Sequence, residues 1–98
     1  MEIEKTYEGA CLTLTLRGKL DTDTSCQLTE ALAGALGGIT ELVLDMTDLT
    51  YISSAGLRAL LSARKAMAKQ GRLELRGVRS SIRQVLEITG FSQLLDLE

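Results

Sequence analysis

Ninety-eight residues are enough for one domain with a modest hydrophobic core and too few for two, so residues 1–98 are read as a single unit. An apolar share of 45% beside 24% charged residues is that of a folded globular chain and excludes intrinsic disorder. A net charge of −2 with no basic stripe, one phenylalanine and two tyrosines excludes a nucleic-acid binder, which needs clustered Lys and Arg and stacking aromatics.

The first elements are two strands. Residues 2 to 7 alternate Glu2, Glu4, Thr6 with Ile3, Lys5, Tyr7, and residues 12 to 17 alternate Leu12, Leu14, Leu16 with Thr13, Thr15, Arg17. Joined through Glu8-Gly9, they predict an antiparallel hairpin with one buried face on each strand. A helix is expected after Asp21: Thr24 and Gln27 have capping-box spacing, Leu28, Leu32, Ala35 and Leu36 share a face, and Gly37-Gly38 stops it. Leu42, Val43 and Leu44 form an unbroken apolar run, the mark of a central strand covered on both faces.

Tyr51-Ile52 then ends on Ser53-Ser54, and from Ser54 the period becomes helical. Leu57, Leu60, Leu61, Met67 and Ala68 form one stripe, while Arg58, Ser62, Lys65 and Lys69 form another that is either solvated surface or a partner face. Gly71 stops this helix. Leu73 and Leu75 alternate with charged residues in a further strand, Ser81 and Gln84 have capping-box spacing for a third helix through Ile82, Val85 and Leu86, and Gly90 ends it before a tail that packs back. The order β-β-α-β-α-β-α predicts an α/β fold whose mixed, mostly parallel sheet is flanked by helices, with an antiparallel N-terminal strand.

No apolar run approaches the roughly 20 residues that cross a bilayer, and the acidic start lacks a signal-peptide n-region. The expectation is a cytoplasmic protein without membrane contact. Cys11 and Cys26 lack ligand spacing and the chain has no histidine, so no metal or cofactor is expected and both cysteines read as buried small residues. Neither serine of the Ser53-Ser54 pair has an evident base or oxyanion hole, so the chain is not read as an enzyme.

What the pair does have is its place. In open α/β sheets, functional loops follow the inner strands, and a helix start offers unpaired N–H groups that a hydroxyl can cap or a phosphate can use. Gly56 reads as a close-packing position, because SSAG lacks the Lys of a phosphate-binding loop. Asp21 and Asp45 fit either helix or loop caps or functional acids.

The segments GKLD at 18–21, LVLDMTDLTYISSAGL at 42–57 and VLEITGF at 85–91 resemble the STAS domain of bacterial anti-sigma factor antagonists, over nearly the whole chain. That resemblance implies phosphorylation of the serine at Ser54 by an anti-sigma factor serine kinase. It also implies release of the sigma factor while the antagonist is unphosphorylated, and reversal by a serine phosphatase. Asp21, Asp45, Ser53, Gly56 and Arg58 then become partner-binding candidates.

The chain departs from the family pattern at two positions. Ser53 stands where Asp is usual, removing a charge and offering a second, less favoured acceptor, and Ala55 stands where Ser or Thr is usual. The alternative is an unswitched STAS module, either a scaffold or a transport accessory that binds a small ligand.

Overall fold

The computed structural model describes residues 1–90 and, as backbone, residues 96 and 97. Strands β1 (Glu2–Glu8) and β2 (Cys11–Leu20) form the expected hairpin, with Glu8 opposite Cys11. Gly9, at φ 62°, supplies the left-handed turn that other residues resist. Strands β3 (Glu41–Ile52), β4 (Arg72–Arg76) and β5 (Asp96–Leu97) each add in parallel, giving the sheet order β1-β2-β3-β4-β5. The central position of β3 agrees with its apolar run.

From β2 to β5 the strands always step in the same direction. Right-handed crossovers therefore put helices α1 (Thr22–Leu32), α2 (Ser54–Ala68) and α3 (Ser80–Ile88) on one face of the sheet. Leu12, Leu14, Leu16, Leu42, Leu44, Leu73 and Leu75 meet Leu28, Leu57, Leu60, Met67, Ile82 and Leu86 of the helices there in a single cluster. Each such leucine contributes on the order of 1.5–3 kcal/mol by leaving water. On the other face Val43 and Glu74 stand in register and both are buried. The Glu74 carboxylate is paired with Arg76 at 2.9 Å and Arg72 at 3.7 Å, as a buried charge requires.

Several expectations change. β2 buries one face, but β1 buries neither, and only Ile3 is half-covered. It is the edge strand, lying beyond the helices' reach. Helix α1 ends at Leu32 rather than at Gly37-Gly38, because Gly34 turns left-handed at φ 73°, although Ala35 and Leu36 still pack on the core from the turn. Within α2, Ala59 and Ala63 complete the buried stripe while Ala68 is exposed.

Helix α3 opens at Ser80 after Arg79 with no side-chain cap, so Ser81 already lies inside the first turn and forms no capping box with Gln84. Cys26 is exposed and Cys11 half-buried. Two residues from Leu28, Cys26 points to the far side of α1. The packing expected of the tail from Phe91 falls outside the described residues apart from the β5 backbone.

The middle of β3 matters most for the site. The apolar run Leu42 to Leu44 is only the start of this strand, which continues past Asp45 to Ile52. Thr15 pairs with Asp45 but Arg17 with Asp48, and Gly18 with Leu49 but Lys19 with Tyr51. Each step inserts one extra residue in β3, which bends and twists it. Because β4 pairs with β3 only as far as Asp45 opposite Arg76, residues 46–52 extend beyond the sheet on β2 alone.

Candidate functional site

At the end of that extension the backbone N–H of Ser53 donates to the Leu20 carbonyl at 2.9 Å. Ser53 is extended (φ −99°, ψ 175°) and is the N-cap of α2: its hydroxyl accepts from the Gly56 N–H at 3.2 Å. The next residue, Ser54, is the first of the helix and is exposed. No group among the described residues hydrogen-bonds its hydroxyl. The two serines thus have different tasks, one holding the helix start and the other facing solvent beside it.

Gly56 explains why the helix starts so close to the sheet. A Cβ there would lie 2.8 Å from the Leu20 carbonyl oxygen and 2.9 Å from side-chain carbons of Ile52 and Leu20. It is buried close packing, as its lack of a phosphate-loop partner suggested.

Helix α1 begins beside α2, since Leu20 pairs with Ile52. Asp21 is its N-cap and accepts from the N–H groups of Asp23 at 3.1 Å and Thr24 at 2.9 Å. Thr24 returns the contact by accepting from the Asp21 N–H at 2.8 Å, and its hydroxyl reaches the Lys19 carbonyl at 2.7 Å. The capping box is therefore Asp21–Thr24, one box earlier than the Thr24–Gln27 spacing suggested. The Thr24 N–H, then the Thr24 hydroxyl, hold the Asp21 carboxyl below the usual carboxylate range.

Asp45 is not at this edge. From Thr15, its partner, to Leu20 are five residues of β2, about 17 Å of strand. Its carboxylate accepts from the Thr47 hydroxyl at 2.7 Å and the Thr47 N–H at 3.1 Å, and these bonds, the hydroxyl first, lower its pKa. Arg79 Nε donates to the Thr47 carbonyl at 3.1 Å. Asp45 thereby fixes the first bulge of β3 and orients the extension from below.

Arg58 is exposed one turn into α2 and lines, with Ser25, Cys26, Glu30, Ala55 and Ser62, a groove of about 440 Å³ between α1 and α2. Ser62, Lys65 and Lys69 are exposed farther along the helix. Sequence reasoning missed Thr24 as the partner of Asp21 and Tyr51 as an exposed aromatic next to the serines. Period-2 alternation against Ile52 was the signal for Tyr51.

The edge combines an exposed hydroxyl, unpartnered among the described residues, with a helix N-terminus that carries no acid in its first turn. The dipole there favours an added anion by about 0.3–1 kcal/mol when exposed. Such a site can accept a phosphoryl group without disturbing the fold.

Comparison with known proteins bears on this geometry. The family described as Mlab, STAS domain, matches residues 3–96. A Bordetella bronchiseptica protein provisionally named anti-sigma factor antagonist BtrV is 40% identical over 78 residues, 78% of this chain and 67% of that protein. The unphosphorylated anti-sigma factor antagonist SpoIIAA, a Bacillus cell-fate determinant, superposes with a TM-score of 0.78 at 19% identity, covering 99% of this chain and 87% of its own. A sulfate transporter family protein from Wolinella succinogenes superposes with a TM-score of 0.80 at 22% identity, covering 93% and 75%. At these identities the two structures show a shared fold, which hosts more than one activity.

Proposed function

The chain belongs to the STAS domain family, and on that premise we propose that it is an anti-sigma factor antagonist switched by phosphorylation at Ser54. Unphosphorylated, it binds an anti-sigma factor serine kinase in the cytoplasm and frees the sigma factor for transcription. Phosphorylated, it lets go, and a serine phosphatase resets it. The 40% identity to a relative carrying that name supports the class. The observation that carries the residue assignment is the division between the serines: the Ser53 hydroxyl is engaged with the Gly56 N–H, and the Ser54 hydroxyl is exposed without a partner among the described residues.

The chemistry asks little of this chain. Ser54 Oγ attacks the γ-phosphorus of kinase-bound ATP, the bond to the β-phosphate bridge breaks, ADP departs and the hydroxyl proton passes to the kinase's base. The antagonist supplies position, through the Ser53 cap and the close contact of Gly56 with Leu20. The added charge of about −1.5 to −2 then meets the helix dipole favourably within the chain. Its effect falls on the partner surface, which must accommodate new bulk and charge.

Incubation with the kinase and ATP, followed by mass-spectrometric mapping, tests the assignment. Phosphate is expected on Ser54, Ser54→Ala is expected to stay bound to the kinase, and Ser54→Asp to be released. If both variants bind like the wild type, Ser54 is not the switch. Absence of phosphate on Ser54 and Ser53 favours the unswitched reading, for which the fold shared with the sulfate transporter family protein is the supporting observation.

A further inference from the structure

Three large apolar side chains are exposed among the described residues: Tyr7 at 55%, Tyr51 at 49% and Ile88 at 85%. Single exposed apolar residues are ordinary, so position has to distinguish them. Tyr51 is three residues from Ser54, no more than about 10 Å along the chain. Tyr7 is opposite Leu12, and the eight β2 residues from Leu12 to Leu20 put it about 26 Å from the edge that carries Ser54. Ile88 closes α3, whose C-terminal end lies at the opposite edge of the sheet because the crossover helices run antiparallel to the strands they follow.

A kinase that brings ATP to Ser54 must cover the ground around it. A standard interface hides about 800 Å² per partner, a patch about 16 Å in radius. Tyr51 falls inside that radius, whereas Tyr7 and Ile88 fall outside it. Ile52 is buried against the helices, so its strand neighbour Tyr51 points to the other side of the extension. Lys19, its register partner on β2, is exposed beside it. Arg58 stands on the opposite flank, one turn into α2.

From this arrangement we infer that Tyr51 is the apolar anchor of the kinase interface, with Lys19 as its charged rim. The inference rests on Ser54 being the acceptor. Tyrosine is among the residues that dominate interface energetics, because it gives a large rigid contact area at low entropic cost. The matching kinase surface has an apolar socket next to its nucleotide site and an acidic group within reach of Lys19. The contact wraps over the tip of the β2–β3 extension, from α2 on one side to Tyr51 on the other.

The test is calorimetric titration of the kinase that phosphorylates Ser54 with wild-type protein, Tyr51→Ala, Tyr51→Phe and Tyr7→Ala. Circular dichroism and thermal melting check that each variant folds. Tyr51→Ala is expected to weaken binding about 30-fold or more, the threshold of a hot spot. Tyr51→Phe, which keeps the ring, should stay within about threefold of wild type, and Tyr7→Ala should match it. At saturating kinase, Tyr51→Ala should still be phosphorylated on Ser54. If Tyr51→Ala binds within threefold while wild type is phosphorylated on Ser54, the anchor is refuted and the switch stands. Wild type without phosphate on Ser54 overturns both. Should Tyr51→Ala melt early, Tyr51→Ser and Lys19→Glu carry the same test, the second expected to slow association at low salt.

Discussion

Two helices start side by side at one edge of the sheet and are finished differently. At α1 the Asp21 carboxylate takes two backbone N–H groups, Thr24 reciprocates, and a negative charge rests on the positive pole of the helix. At α2 a neutral Ser53 hydroxyl takes one N–H, and no acid follows in the first turn. The first end is closed and serves the fold. The second is only half closed, and that leaves its electrostatic preference for an anion unspent.

The largest disturbance to the contrast is expected from Gly56→Val, which pushes carbon into the space held by the Leu20 carbonyl and the Ile52 side chain. Overpacking of this kind costs about 1–3 kcal/mol, read as a lower urea midpoint with an unchanged slope. The kinase should also phosphorylate the variant more slowly, since the start of α2 is displaced. An unchanged midpoint would show that the close approach is slack.

Substitution of the cap comes next. Ser53→Ala should lose about 1 kcal/mol, and Ser53→Asp should gain about 0.3–1 kcal/mol over wild type by giving α2 the same charged finish as α1. Equal stability of the three proteins would mean that the cap bond contributes nothing. Ser53→Asp also tests the anion preference, because a carboxylate already seated there lowers the advantage of a second negative group at Ser54.

Acid separates the two ends without mutation. The folded pKa of Asp21 is depressed by its bonds to Thr24, so the stability it adds is complete above its unfolded-state pKa and is lost as pH falls through the folded value. Asp45 is depressed in the same direction by Thr47. Ser53 does not titrate. In an NMR titration the Thr24 amide should therefore shift in acid well before the fold is lost, while the Gly56 amide stays in place. A common curve for both amides would contradict the separation.

The smallest expected effect on stability belongs to Ser54→Ala. Its hydroxyl has no partner to lose among the described residues, so the stability should stay within about 0.5 kcal/mol of wild type even as phosphate incorporation is abolished. A larger loss would show that the hydroxyl is holding structure after all.

What could be read from the chain follows from how local each signal is. Leu12, Leu14 and Leu16, the run Leu42 to Leu44, and the helical stripe from Leu57 to Met67 declare their burial by spacing alone, and with them the hairpin, the central strand and the second helix. The helix start at Ser54 was legible for the same reason, because the period changes there, whereas its reading as an acceptor came from the resemblance to the antagonist family. The run from Thr47 to Tyr51 was not, because exposed Thr47, Asp48, Thr50 and Tyr51 surround a lone buried Leu49 and become strand there only through pairing with Arg17 to Lys19, far away in sequence.

Caps failed more subtly. Asp21, Thr24 and Gln27 offer overlapping boxes, and only hydrogen-bond geometry decides that Asp21 closes on Thr24. At α3 the serines lie inside the helix, leaving Arg79 at the cap. Both errors come from a local pattern that fits two registers equally well.

The extension of β3 past Asp45 also has a dynamic meaning. From 46 to 52 this strand has β2 on one flank and, among the described residues, no strand on the other, so amides aimed away from β2 lie outside the ladder, although the Thr47 carbonyl is taken by Arg79. In hydrogen exchange the segment should show fast and slow amides side by side, set by flank and not by depth. Leu16, Leu20, Met46, Leu49 and Ile52 tie this two-stranded ribbon to the core beneath α2, so the fast amides report fraying of its open flank, at a free energy below that of global unfolding, while the side that carries the start of α2 exchanges with the core.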